Sequence, residues 1–147
     1  MILCKKFEEL TLEELYEILK LRSEVFVVEQ NCIYNDIDGK DKASFHVIIK
    51  ENNEITAYLR VLPPGISYEN ASLGRVLVAK DARGMGYAKA IVTEGINCVL
   101  RNFNTNKITI GAQEYLKDFY SEFGFKPVSE VYDEDGIPHL DMTLNIV

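Results

Sequence analysis

Leu77-Val78-Ala79-Lys80-Asp81-Ala82-Arg83-Gly84-Met85-Gly86-Tyr87-Ala88-Lys89-Ala90-Ile91-Val92 sets an apolar strand, a two-glycine loop and a helical pattern in direct succession. Small residues at Gly84, Gly86 and Ala88 let a ligand approach the backbone. The helix that follows offers unpaired first-turn N–H groups and the positive end of its dipole. The stretch reads as a cradle for phosphate or pyrophosphate. Two familiar phosphate loops are excluded by its residues. A Walker loop needs Gly-Lys-Ser/Thr after the second glycine, where this chain has Gly86-Tyr87-Ala88. A dinucleotide loop needs a third glycine and an acid about 20 residues on. Gly84-Met85-Gly86-Tyr87-Ala88-Lys89 lacks that glycine, and Asn102-Phe103-Asn104-Thr105-Asn106-Lys107 carries no acid.

Working outward, strand and helix patterns alternate over 147 residues without a repeat or linker, so residues 1–147 read as one α/β domain with a mixed sheet. Ile2 to Phe7 suits a strand. Thr11 with Glu14 three residues later forms a capping box that opens a helix carrying Leu12, Leu15, Ile18, Leu19 and Leu21 at helical spacing. Ala43–Lys50 and Ile55–Leu62 form a hairpin about Glu51-Asn52-Asn53-Glu54. Ser72–Ala79 feeds the glycine loop, a helix runs from Gly86 to Asn102, and Lys107–Ala112 returns as a strand. A short helix, Tyr115–Phe123, is closed by Gly124, and Pro127–Tyr132 and His139–Ile146 are expected as the last strands.

The net charge of −7 argues against a general nucleic-acid surface, which needs a basic stripe, and favours a cationic partner. No apolar run approaches the roughly 20 residues of a membrane span, and no secretory signal is recognisable, so a cytoplasmic protein without membrane attachment is expected. Cys4, Cys32 and Cys98 share no metal or redox spacing and read as reduced thiols without chemistry. His46 and His139 lack paired spacing, so no metal site is expected.

Arg83-Gly84-Met85-Gly86-Tyr87-Ala88 fits Gln/Arg-x-x-Gly-x-Gly/Ala and resembles the pyrophosphate loop of the GNAT N-acetyltransferase superfamily. Phe119-Tyr120-Ser121-Glu122-Phe123-Gly124-Phe125 resembles its second hallmark, a tyrosine-bearing helix that ends at Gly-Phe. Arg22-Ser23-Glu24-Val25-Phe26-Val27-Val28-Glu29-Gln30, Asp36-Ile37-Asp38-Gly39-Lys40-Asp41 and Asp135-Gly136-Ile137-Pro138-His139 resemble the ElaA-like branch of that superfamily.

The resemblance implies the acyl-CoA N-acyltransferase fold, in which central parallel strands splay apart between flanking helices and admit acetyl-CoA. Val76, Leu77 and Val78 would then face the pantetheine, with the Val78 N–H donating to the thioester oxygen. Arg83, Gly84, Met85, Gly86, Tyr87, Ala88 and Lys89 would surround the pyrophosphate, and Gln113 would stand where relatives place a pantetheine-contacting asparagine. Tyr120 matches the family's general acid, since a phenol of ordinary pKa near 10 is protonated at neutral pH and can donate to a leaving thiolate, but beside Leu116, Phe119 and Phe123 it also reads as a packed aromatic.

The base is open between water and an acid. Glu29 is the leading side chain; Asp36, Asp38, Asp41 and Glu114 are alternatives, and each of these acids also reads as solvated surface. Asp38, His46 and His139 are candidate acceptor contacts, His46 being equally readable as a structural histidine within a strand. The implied reaction moves acetyl from acetyl-CoA to a primary amine of a small molecule, such as a polyamine, or of a peptide. A non-catalytic CoA-binding sensor is the alternative, and relatives allow a homodimer through an edge strand.

Overall fold

The computed structural model describes residues 1–146. β1 (Ile2–Lys6), β2 (Phe45–Glu51), β3 (Glu54–Leu62) and β4 (Ser72–Val78) form one antiparallel sheet in that order. β5 (Lys107–Gln113), β6 (Lys126–Pro127), β7 (Tyr132–Glu134) and β8 (Ile137–Asn145) form a second, with β8 between β5 and the short pieces β6 and β7. The helices are α1 (Leu12–Arg22), α2 (Tyr87–Asn102) and α3 (Lys117–Ser121), and α1 runs on into a wider π-helical stretch, Ser23–Glu29.

β2 and β3 are buried on both faces, which accounts for the unbroken apolar runs Val47-Ile48-Ile49 and Ala57-Tyr58-Leu59. Alternation along the strands sends Ile48 and Tyr58 to one face, beneath Ile18 of α1. Val47, Ile49, Ala57, Leu59 and Val61 point to the other, beneath Ile91, Val92, Cys98 and Val99 of α2. Asn52 and Asn53 both hold positive φ, 51° and 66°, which gives the β2–β3 hairpin the turn that matches the twist of its strands. Among the described residues no helix is long and apolar enough to cross a membrane.

Two local expectations are corrected. Leu12 is 86% exposed, and α1 instead buries Glu14 and Arg22 beside Ile18. Glu14 completes the capping box on Thr11 and also binds Lys5 and Lys50. The expected strand Pro127–Tyr132 is interrupted. Val128 still donates its N–H to the Asp141 carbonyl at 2.9 Å, but its side chain and that of Val131 face solvent, and the regular ladder resumes only where Tyr132 meets His139.

Both sheets are antiparallel within themselves. β4 and β5 meet as parallel neighbours at one bridge, Ala71 with Ile108, where the Thr109 N–H donates to the Ala71 carbonyl at 2.9 Å. β4 also carries a bulge. Tyr58 aligns with Leu77 and Arg60 with Gly74, so Arg75 and Val76 together oppose Leu59. Arg75 takes φ +50° there, a conformation L-residues adopt at a cost and one that bends the strand.

Candidate active site

A cleft of about 670 Å³ lies between the sheets, bordered by Val76, Leu77 and Val78 of β4 and by Ala112 and Gln113 of β5. The Val78 carbonyl accepts from Arg83 Nε at 3.2 Å rather than from β3. A strand residue directs its N–H and C=O to the same edge, so the Val78 N–H faces the cleft as well. Leu77 borders the cleft too, but its side chain is mostly buried with Ile18 and Tyr58.

The glycine loop ends this strand. Gly84 and Gly86 hold φ of +81° and +85°, and a Cβ built on either meets nothing within 4 Å, so the loop surface is open. Gly86 is the N-cap of α2. No side chain caps that helix and its first turn holds no acid, which leaves its positive end uncompensated. Met85 and Lys89 are exposed, while Tyr87 and Ala88 are half-buried. Arg83 is committed elsewhere: its Nη1 and Nη2 each donate to a Glu29 carboxylate oxygen at 2.7 Å. The pairing ties the π-helical stretch to the loop and holds the Glu29 carboxyl below its ordinary pKa. A carboxylate so held is a weaker base.

Tyr120 lies on α3 at 7% exposure, with Phe119 and Phe125 edge-on to its ring at 5.1 and 5.9 Å. It borders the cleft opposite Val76 and Val78, and burial pushes its pKa up to about 12. The phenol is therefore fully protonated at neutral pH. Gln113 reaches across to Gln30, their amides 3.4–3.5 Å apart.

The other end of the cleft is lined by charge. Arg22, at 0% exposure, donates through Nε to Asp36 at 2.8 Å and through Nη1 to Asp41 at 2.7 Å. Arg60 holds Asp38 with two hydrogen bonds, at 2.8 and 2.9 Å, and shares Asp41 at 3.0 Å. Arg75 on the bulge pairs with Asp36 at 2.7 Å. Asp36, Asp38 and Asp41, which read in the sequence as possible bases or solvated surface, are thus arginine partners. Although burial opposes it, the arginines hold the Asp38 and Asp41 carboxyls well below their ordinary pKa. Arg60 and Arg75 line the cleft with Asp38, whereas Arg22 and Asp41 stand behind them.

His46 does not reach the cleft. At 1% exposure its Nε2–H donates to the Asp41 carbonyl at 2.9 Å and its Nδ1 accepts from the Tyr58 hydroxyl at 2.6 Å. Burial keeps it neutral, and it is a structural histidine. His139 does border the cleft, with Nδ1 on the Ile137 carbonyl at 2.7 Å and Nε2 3.4 Å from Glu134. Tyr34 and Tyr68 join the wall without having been signalled by any sequence pattern, and Lys40 joins it from a signalled stretch in which it carries no assigned role. Among the described residues no cluster of His, Cys, Asp or Glu suits a metal ion.

The profile of the acetyltransferase (GNAT) domain matches residues 8–146. Escherichia coli ElaA is 40% identical over 141 residues, which are 95% of this chain and 92% of that protein. A UPF0039 protein of Synechocystis is 42% identical over 143 residues, 97% of this chain and 93% of its own length. The crystal structure of an acyl-CoA N-acyltransferase from Pseudomonas aeruginosa superposes with a TM-score of 0.93 at 37% identity, covering 98% of both chains. That of E. coli ElaA superposes at 0.92, also at 37% identity, covering 99% of both.

Proposed function

The chain belongs to the GNAT acetyltransferase family, in its ElaA-like branch, and on that premise we propose that it transfers an acetyl group from acetyl-CoA directly to a primary amine. The observation that carries this reading is the meeting of the free edge of β4 and the buried Tyr120 at one cleft, which the open glycine loop and the uncapped start of α2 adjoin through Arg83 and Ala88. β4 and β5, joined only near Ala71, serve as the arms of a V that takes the pantetheine, whose amides pair with the cleft edge of β4 near Val76 and Val78. The loop from Gly84 to Lys89 receives the pyrophosphate on its backbone amides, with Lys89 adding charge.

The amine nitrogen attacks the thioester carbonyl, and negative charge grows on the carbonyl oxygen within reach of the Val78 N–H, a fixed donor that stabilises it. Collapse breaks the carbon–sulfur bond, and Tyr120 donates its proton to the departing thiolate. Water takes the proton of the attacking amine. Glu29 is the less fitted acceptor because Arg83 already holds both of its oxygens. Asp38 and His139 contribute to the acceptor wall, and the mixed charge there suits a polar amine. A panel of polyamines, amino acids and amino-terminal peptides, assayed for CoA thiol release, tests the reading. Acetylated product from at least one amine class is expected, and CoA binding without turnover on any of them would make the chain a sensor instead.

The loop makes a separate prediction. Gly86→Val puts a β-branched side chain at φ +85° beside the phosphates, so CoA affinity should fall at least tenfold while the domain still folds. Calorimetry alongside a melting curve checks both halves. An unchanged affinity in a folded variant places the phosphates elsewhere.

A further inference from the structure

Cys4 and Cys98, 94 residues apart in sequence, bring their sulfurs to 2.6 Å, one from edge strand β1 and the other from α2. Nothing in the acyl-transfer chemistry uses either. We propose that they form a redox-active dithiol that reduces a hydroperoxide and closes to a disulfide tying β1 to α2. A covalent S–S bond measures about 2.05 Å, so closure needs only a small movement of either side chain. Burial assigns the roles: Cys4 is partly exposed and can meet a small oxidant, whereas Cys98 is at 0% exposure and can meet only Cys4.

The surroundings favour that order. The hydrogen bond from the Cys98 thiol, with the nearby Arg101 guanidinium, lowers the pKa of Cys4 and favours its reactive thiolate. The same hydrogen bond and burial raise that of Cys98. The Asn102 amide, which donates to the Cys98 carbonyl at 2.8 Å, also lies 3.5 Å from the Cys98 sulfur. Cys4 attacks the terminal peroxide oxygen, the O–O bond breaks, and the departing oxygen takes the Cys4 proton and leaves as alcohol or water. The product is Cys4 sulfenic acid. Cys98 then attacks the Cys4 sulfur, the S–O bond breaks, and water leaves with the Cys98 proton. Two thiols and one hydroperoxide give a disulfide, an alcohol and water, with two electrons passing from sulfur to oxygen.

The test treats the reduced full chain with one equivalent of hydrogen peroxide, then denatures and alkylates it. Before alkylation the intact mass should be lower by two hydrogens, and afterwards a Cys4–Cys98 cross-linked peptide, alkylation at Cys32 alone and full reversal by dithiothreitol are expected. The oxidised protein should melt several degrees higher, because the bond closes a long loop of the unfolded chain. Cys98→Ser should stop at a Cys4 sulfenic acid that dimedone traps, and Cys4→Ser should leave Cys98 inert to peroxide. Three alkylatable thiols after treatment, a disulfide through Cys32, or oxidation of Cys98 in the Cys4→Ser protein would overturn the proposal. Should Cys98→Ser fail to fold, the wild-type peptide map and the Cys4→Ser protein still decide.

Discussion

Tyr120→Phe should lower turnover by about 10²–10⁴-fold while leaving acetyl-CoA affinity and melting temperature nearly unchanged. The substitution removes one hydroxyl and keeps the ring, so the edge-on contacts with Phe119 and Phe125 survive. Burial and the Tyr115 charge, with no hydrogen bond, set the state of that hydroxyl, so its removal breaks no structural bond among the described residues. In the proposed role the loss falls at the departing thiolate, where the proton would be delivered. Burial holds the phenol pKa at about 12, so the donor is fully protonated throughout the neutral range, and a rate limb due to Tyr120 belongs only at strongly alkaline pH. Steady-state kinetics on the acceptor found in the amine panel, with melting curves for both proteins, checks it. Wild-type turnover in the variant would reduce Tyr120 to a core aromatic.

Arg22→Met should destabilise the fold by about 3–5 kcal/mol, because it removes a fully buried cation from between two carboxylates and leaves them short of charge. In a chain of this size that is a fall on the order of 10 °C in melting temperature. The pH dependence has a definite sign. The folded-state pKa values of Asp38 and Asp41 lie below the ordinary carboxylate value, so their contribution is fully present above about pH 4 and is lost as pH falls through the folded-state values. Denaturant titrations at pH 7 and at decreasing acid pH should show wild type losing stability below pH 4. The loss should be shallower in Arg22→Met, where Asp41 has already lost one of its two arginine partners. A variant as stable as wild type would show that the network contributes specificity alone.

The sequence displays what local chemistry decides. Thr11 and Glu14 mark the start of α1 because both halves of the capping box lie within one turn. Gly84 and Gly86 mark the loop because few other residues hold its positive φ. What was not legible depends on partners distant in the chain. Arg22 sits on a helix face that reads as apolar, yet its carboxylates come from positions 14 and 19 residues later, in a loop with no periodicity. Val128 and Val131 have strand-like character, but the regular ladder with β8 stops at Pro127, only the Val128 N–H still reaches the Asp141 carbonyl, and both side chains stay in solvent. His46 lies within a strand as expected, and only the fold shows that Tyr58 and Asp41 take both of its nitrogens. The resemblance of Arg22–Gln30 and Asp36–Asp41 to the ElaA-like branch gains a physical meaning: the two stretches meet in the buried ion network behind the cleft.

Calorimetric titration of the wild-type chain with CoA, and then with ATP and NADH under the same conditions, tests the cleft between β4 and β5 most directly. The account predicts one CoA per chain and a rise in melting temperature, worth roughly 2.7 kcal/mol of added stability at 100 times the dissociation constant, with much weaker binding of ATP and NADH. Binding of ATP or NADH more tightly than CoA, or no binding of CoA at all, would contradict it.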